Sequence, residues 1–335
     1  MNQRLSVVIP VRHEEPYLGE CLESVLRALA TIELAEILVV DGGMGRGARD
    51  LMARHQARDG RIRCIPNPRR VTGAAFNLGI QSARGEAIAL VSAHSRVEPD
   101  FFVAALRRLD QGDADIVGGP VRTEPSGDQP LAWLLARVVS HPFGVGNSRF
   151  RISSQEAYVD AVPFAVFRRD VFDRVGLFEE ALVRNQDTEF FGRVARGGLR
   201  VLLAPEVRSV YRARGTLGAL LRQGFLNAYW NVLVWRWNSD AFQLRHAVPA
   251  IFTISLLATS LAAIAGSTGG ILLGGLLAAY GIVALVAALD VLRLTGRAIA
   301  VLLPPLFLLY HVSYGAGSLV GLRWLMAVRR ASTQA

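Results

Sequence analysis

The sequence predicts an α/β domain built on a mostly parallel sheet, followed by an α-helical membrane domain. Short apolar runs alternate with helical patterns over the first 120 residues. No Asp, Glu, Lys or Arg occurs between Ala247 and Leu289, although the first 240 residues are charged throughout. The mean hydropathy of +0.31 is high for a soluble chain, and 335 residues suit roughly two domains.

The strand signals are "LSVVIPV" (5–11), "EILVVDG" (36–42), "IRCIPN" (62–67), "AIALVSA" (87–93) and "ADIVGGPV" (114–121). Most are short and apolar, the pattern of strands buried on both faces. Helical patterns fill the intervals at 16–29, 46–57, 72–83 and 100–109. Strand and helix in alternation at this spacing predict βαβ units. Ligands of such sheets bind outside the carboxyl ends of the strands, which directs attention to "VRHEE", "DGGMGRG" and "SAHSRVEPD". Further on, "HPFGVGNSRFR" (141–151) reads as a loop, 161–178 as a strand entering a short helix that stops at Gly176, 187–196 as a helix and 199–207 as a strand.

From 216 to 237 the chain is apolar and aromatic, with Arg222 and Arg236 among Tyr229, Trp230, Trp235 and Trp237. Trp and Tyr favour the headgroup region and arginine reaches it by snorkelling, so an amphipathic interfacial helix is expected; a core helix of the soluble domain is the alternative. The charge-free stretch divides at "GSTGG" into halves of about 20 residues, each long enough to cross the ~30 Å hydrocarbon core. Arg293 and Arg297 then mark a return to the cytoplasm. A third apolar segment, 298–322, contains Pro304, Pro305 and His311 and reads either as a span or as re-entrant. The expected organisation is a first domain over 1–214, an interfacial region over 215–245, and a membrane domain over 246–335 with spans near 247–265, 270–289 and 298–322.

The net charge is +9 and every basic residue outside histidine is arginine. The arginines are scattered and no nucleic-acid-binding module is recognisable, so membrane and phosphate partners fit better than nucleic acid. Cys21 and Cys64 make neither a disulfide framework nor a metal spacing. The opening "MNQRLSVVIPVRHEEP" lacks the long apolar run of a signal peptide. The first domain is expected on the cytoplasmic face of the plasma (inner) membrane.

Two carboxylates invite a chemical reading. Asp41 ends a buried strand ahead of Gly42 and Gly43, which allow close backbone approach to a ligand; it could equally cap the helix beginning near residue 46. Asp187 opens the 187–196 helix, where the macrodipole favours a carboxylate anion, and helix capping is its plainer role. Either Arg69 or Arg70 could pair with a phosphate through its planar fork.

Taken in order, "SVVIPVRHEEPYLGECLESVL", "ILVVDGG", "NPRRVTGAAFNLGIQSARGEAIALVSAH", "VGGPV" and "VRNQDTEFFGRVARGG" resemble the family 2 glycosyltransferases, which have the GT-A fold. Together with "PFGVGNSRFR" and "RQGFLNAYW", they resemble most the succinoglycan-type exopolysaccharide glucosyltransferases. The resemblance covers about residues 4–250. It implies an inverting transfer from a nucleotide-diphosphate sugar to a lipid-linked glycan acceptor, alongside polysaccharide-assembly proteins, at a membrane. It implies a donor site drawn from Pro10, Arg12, Glu14, Asp41, Arg70, Asn77, Ser92 and His94, with Asp187 as the base. Gln186, Glu189, Arg222, Gln223 and Trp230 would lie on the acceptor or diphosphate side, the last three where membrane-embedded relatives have a Gln-X-X-Arg-Trp-like element.

The pattern has three departures. Gln186 replaces the glutamate of the usual Glu-Asp pair, and Arg46 stands in a loop that usually holds a second carboxylate. Ser92-Ala93-His94 replaces the Asp-X-Asp or Asp-Ala-His that binds a divalent metal, Mn²⁺ or Mg²⁺. Hard cations want carboxylate oxygen, while an imidazole suits Mn²⁺ better than Mg²⁺. Three outcomes stay open: His94 and donor phosphates hold the metal, an arginine such as Arg46 replaces its charge, or turnover is impaired. The last would make the chain a catalytically silent membrane scaffold. Transfer to polyprenyl phosphate itself is a further alternative.

Overall fold

A computed structural model describes residues 4–12, 15–238 and 244–333. The first βαβ run is β1 (Leu5–Val11), α1 (Glu15–Ala28), β2 (Ala35–Asp41), α2 (Arg46–Arg58), β3 (Ile62–Pro66), α3 (Thr72–Ser82) and β4 (Ala87–Leu90). Then come β5 (Ser95–Val97), α4 (Phe101–Asp110), β6 (Ile116–Gly118) and β7 (Val121–Glu124). Three helices follow: α5 (Pro130–Val138), α6 (Pro142–Val145) and α7 (Arg149–Ile152). The chain continues with β8 (Ala157–Tyr158), β9 (Ala165–Arg168), α8 (Asp170–Val175), α9 (Gln186–Arg196), β10 (Val201–Leu203) and β11 (Ser209–Arg212). It ends with α10 (Leu217–Val234), α11 (Leu244–Ala265), α12 (Ser267–Thr295), a 3-10 turn at Ala298–Leu302, and α13 (Leu303–Thr333).

These elements form two compact units. One comprises residues up to Arg122 with Arg149–Tyr211; the other comprises Thr123–Ser148 with the chain from Arg212 onward. The segment 123–148, read from sequence as part of the first domain, therefore belongs with the helices. Its α5 is apolar on most sides, and Trp133, Leu134, Leu135 and Val138 join a core with Leu220, Val291, Leu303 and Phe307.

In the first unit an eight-stranded sheet runs β3-β2-β1-β4-β9-β6-β10-β8, and a smaller one runs β5-β11-β7. β1, β2, β3 and β4 are mutually parallel, so their carboxyl ends share one edge. β9 runs antiparallel between β4 and β6. The alternation of side chains explains the two-sided burial. Val7 and Ile9 of β1 join Leu18, Leu22 and Phe102 on one face, while Val8 joins Leu38, Ile80 and Phe190 on the other. Each such side chain contributes about 1.5–3 kcal/mol when fully removed from water. Pro10 sits in β1 without cost because pairing with β4 stops at Val8↔Leu90, leaving no partner to miss its amide.

Three expected strands are shorter than read, and of 199–207 only Val201–Leu203 is strand. The 87–93 run ends as a strand at Leu90, and 114–121 breaks at Gly119-Pro120 between β6 and β7. The 141–151 loop contains the short helices α6 and α7.

In the second unit, α10 lies along α13. A Cβ at Gly317 would come within 2.1 Å of the Phe225 carbonyl oxygen, so only glycine permits the approach. Asn231 Nδ2 donates to Tyr314 Oη at 2.7 Å, and Ser313 Oγ to the Leu221 carbonyl at 2.8 Å. Three helical stretches are long and apolar enough to cross a membrane: His246–Ala265, Ser267–Thr295 and Ala298–Ala327. The third is continuous helix from Leu303; Pro304 and Pro305 fall in its first turn, where amides have no intrahelical partner. Within this unit Trp133 lies between two guanidinium groups, Arg137 at 5.6 Å and Arg297 at 5.1 Å from its ring centre.

Candidate active site

The strand ends bring three expected residues together. Asp41 closes β2 opposite Val11 of β1 and Pro66 of β3. Its Oδ1 accepts from the backbone N–H of Gly43 at 2.7 Å and of Met44 at 2.6 Å. The carboxylate thus shapes its own loop and does not cap the next helix, whose N-cap is Gly45 with no side-chain bond. Gly43 has φ +120°, and a Cβ there would come within 3.9 Å of Arg70 Nε. Arg70 itself is left-handed (φ 56°), a conformation unfavourable for a residue with a Cβ. Arg12 Nη1 donates to the Arg70 carbonyl at 2.8 Å. Two guanidinium-bearing residues are therefore gathered beside Asp41. Glu14, expected nearby, lies outside the described residues.

At the end of β4, Ser92 Oγ is 3.0 Å from His94 Nδ1. The Ser92 carbonyl accepts from Ser95 N–H at 3.0 Å and Ser95 Oγ at 2.7 Å, which turns the chain into β5. The His94 ring meets Tyr211 edge to face, with centres 5.5 Å apart, and Arg151 lies over the same tyrosine at 5.1 Å. Neither Tyr211 nor Arg151 stood out in the sequence. The short "SVYR" strand, following a turn, offered only four alternating residues as a signal.

A divalent metal does not fit this donor set. A hydroxyl and one imidazole already bonded to each other supply no carboxylate oxygen, which hard cations require. Among the described residues, no group of three or more His, Cys, Asp and Glu side chains is placed to hold a metal ion.

Asn77 has a different task from the expected donor contact. It is buried, its Nδ2 donates to the Phe178 carbonyl at 2.9 Å and to Glu180 Oε1 at 2.8 Å, and its Oδ1 accepts from Phe178 N–H at 2.9 Å. Arg69 pairs with the other oxygen of Glu180. These bonds tie the 177–182 loop to α3, next to Arg70, and the tied loop leads into α9.

Asp187 occupies the second position of α9; the N-cap is Asn185, left-handed at φ 56° and without a side-chain cap bond. Gln186 is the first helical residue. Asp187 Oδ1 accepts from Thr188 N–H at 2.9 Å, and its side chain remains open to water. Desolvation by the surrounding protein nevertheless raises its carboxyl pKa above the ordinary value, outweighing hydrogen bonds from the Thr188 and Asp187 amides that lower it. The sequence argument expected a helix start to favour the anion; the net direction of the shift is set by desolvation. Glu189 is buried and locked to Arg193, with Nε–Oε1 2.9 Å and Nη2–Oε2 2.8 Å. Arg193 also donates to the carbonyls of Leu177 (2.7 Å) and Val175. The pair clamps the segment behind α9 and leaves Asp187 as the accessible carboxylate of the motif. Arg222, Gln223 and Trp230 lie on α10, in the helical unit.

Comparison with known proteins places this geometry. The family described as "Glycosyl transferase family 2" matches residues 6–176. The "Succinoglycan biosynthesis protein ExoA" of Rhizobium meliloti is 24% identical over 65% of this chain, and the match spans 66% of its length. A Methanococcus voltae protein, "Dolichyl N-acetyl-alpha-D-glucosaminyl phosphate 3-beta-D-2,3-diacetamido-2,3-dideoxy-beta-D-glucuronosyltransferase", is 23% identical over 68% of this chain and 76% of its own. Among solved structures, a mannosyltransferase from Pyrobaculum calidifontis in complex with GDP-Man and Mn²⁺ superposes with a TM-score of 0.59 at 17% identity, covering 93% of this chain and 87% of that one. That likeness establishes the GT-A fold.

Proposed function

This chain belongs to glycosyl transferase family 2 and is a glycosyltransferase, and from that premise we propose an inverting transfer of a sugar from a UDP-sugar to a lipid-linked glycan in exopolysaccharide or cell-envelope assembly. Asp187 carries the reading: an accessible carboxylate at the start of α9 whose pKa is raised by desolvation. A base with a pKa closer to the working pH takes a proton more effectively than an ordinary carboxylate.

In the proposed step, the acceptor hydroxyl oxygen attacks the anomeric carbon from the face opposite the nucleotide. Its proton passes to Asp187 as the new C–O bond forms. The bond to the diphosphate oxygen breaks, and the nucleoside diphosphate leaves with the electron pair. Asp41 holds the nucleoside side, and Arg12 and Arg70 lie beside it. The transfer is assigned to a membrane because three helices are long and apolar enough to cross one. It is assigned to a lipid-linked acceptor because the archaeal relative's name describes a dolichyl phosphate-linked sugar. With the first unit in the cytoplasm, Arg293 in the last turn of the second span and Arg297 between the second and third also fall there, as the positive-inside rule asks.

The test is transfer of radiolabelled sugar from UDP-sugars to membrane lipids by the wild type and Asp187→Asn. Equal rates would remove Asp187 as base; donor binding without turnover in either protein would assign a silent scaffold instead.

A further inference from the structure

Along the small sheet of the first unit lies an open cavity of about 570 Å³, within the range of small-molecule sites. Three arginines from separate segments line it: Arg122 on β7, Arg151 on α7, and Arg208 ahead of β11. One carboxylate, Glu98, faces them, and Ser153 and Ser154 add hydroxyls. Three guanidinium groups against one carboxylate make a concave positive field that concentrates anions.

The arrangement is partly rigid. Arg151 lies over Tyr211 at 5.1 Å and over Phe150 at 5.4 Å, so its fork is oriented before any ligand arrives. Arg122 meets Glu98 only at 3.9 Å, with 66% and 42% of the two side chains exposed, and a pair of that kind contributes little. Arg208 is exposed. Planar forks match phosphate oxygens two at a time. A single phosphate engages one or two such forks, whereas three spread along a cavity of this size match two linked phosphoryl groups. The cavity also adjoins the strand end that cannot recruit a hard cation, since Tyr211, which bears Arg151, rests its other contact on His94.

We propose that this cavity binds a diphosphate group without a metal ion, with Arg122, Arg151 and Arg208 supplying the counter-charge. The proposal rests on the family reading only for the molecule that carries the diphosphate, either the nucleotide donor or a prenyl-linked acceptor.

The full-length protein in detergent, with EDTA present, is titrated calorimetrically with inorganic diphosphate. Wild type binds, and both Arg122→Gln/Arg208→Gln and Arg151→Gln weaken binding by about tenfold or more, a change of ~1.4 kcal/mol. The double variant changes two exposed side chains, and an unaltered melting temperature verifies its fold. Competition then identifies the source. Displacement by UDP assigns the donor, and displacement by farnesyl diphosphate assigns the acceptor. No binding in EDTA, equal affinity in wild type and variants, or displacement by neither competitor overturns the site. A protein that binds diphosphate through these arginines yet transfers no sugar from any UDP-sugar would sink the transferase reading and leave this site standing.

Discussion

Two aspartates of one α/β unit, Asp41 at the end of β2 and Asp187 in the first turn of α9, are treated by the protein in opposite ways. Asp41 has two backbone amides within 2.7 Å, and its loop is built around the charge. Asp187 has a looser bond to Thr188 N–H and a desolvating environment that raises its pKa. The difference teaches that a carboxylate's surroundings separate a group engaged in holding its own loop from one suited to exchanging a proton. Position in the chain gave no such distinction, since one stands shortly before a helix and the other in the first turn of one.

The largest effect should come from Asp187→Asn. Losing a general base lowers the transfer rate by about 10²–10⁴-fold, measured as label incorporated into lipid. The melting temperature should hold or rise slightly, because the raised pKa marks an anion that folding disfavours while water at the exposed side chain screens the effect. The sign follows from the raised pKa. A group that binds its proton more tightly in the folded state supports folding below its unfolded pKa and opposes it as pH rises through the folded one. The stabilising effect of Asp187→Asn should thus appear at neutral pH and vanish in acid. In the wild type, the acid limb of the rate profile should lie above the ordinary aspartate range; a limb at the ordinary 3.8 would remove desolvation as the tuning of Asp187.

Asp41→Asn should weaken UDP binding by about tenfold, ~1.4 kcal/mol, with little change in melting temperature, because an amide oxygen can still accept from Gly43 and Met44. Asp41→Ala should lower both, since two loop amides lose their acceptor at about 1–3 kcal/mol each where water cannot replace it. Asn77→Ala should cost about 1–3 kcal/mol of stability by stripping Phe178 N–H and its carbonyl of partners, and leave UDP affinity unchanged. A matching loss of UDP affinity in the folded protein would return Asn77 to the donor site. Smallest of all, Arg70→Gly should relieve left-handed strain and stabilise by about 1 kcal/mol, while weakening nucleotide binding.

Most of the parallel half-sheet was legible because its strands are continuous apolar runs bounded by turn residues. β1 falls where the pattern placed it, and α9 starts one residue early. The misses have specific causes. β5 and β11 are three and four residues long, too short for alternation to register. Helix α5 is legible as apolar, but its allegiance to distant helices is a tertiary fact that periodicity does not carry. The third apolar segment read either as a span or as re-entrant; Pro304 and Pro305 fall in the first turn of a helix that continues past them. Asn77 entered the donor set through the family resemblance, and only its bonds to Phe178 and Glu180 show that it ties a loop to α3. At Asp187, the direction of the shift is set by desolvation, whose size depends on neighbours that sequence does not list.

Trp133 is gripped by an arginine of its own helix, Arg137, and by Arg297, which follows it by nearly half the chain. On the ribosome, α5 emerges long before the partners that cover it, so its apolar face must wait, uncovered or held by a chaperone or the bilayer surface, until the late helices are made. A chain terminated just before α10 would keep Trp133, Leu134, Leu135 and Val138 permanently without cover. Removing the long C-terminal helices to obtain the α/β unit alone would therefore leave an aggregating product while residues 130–138 stay in the chain.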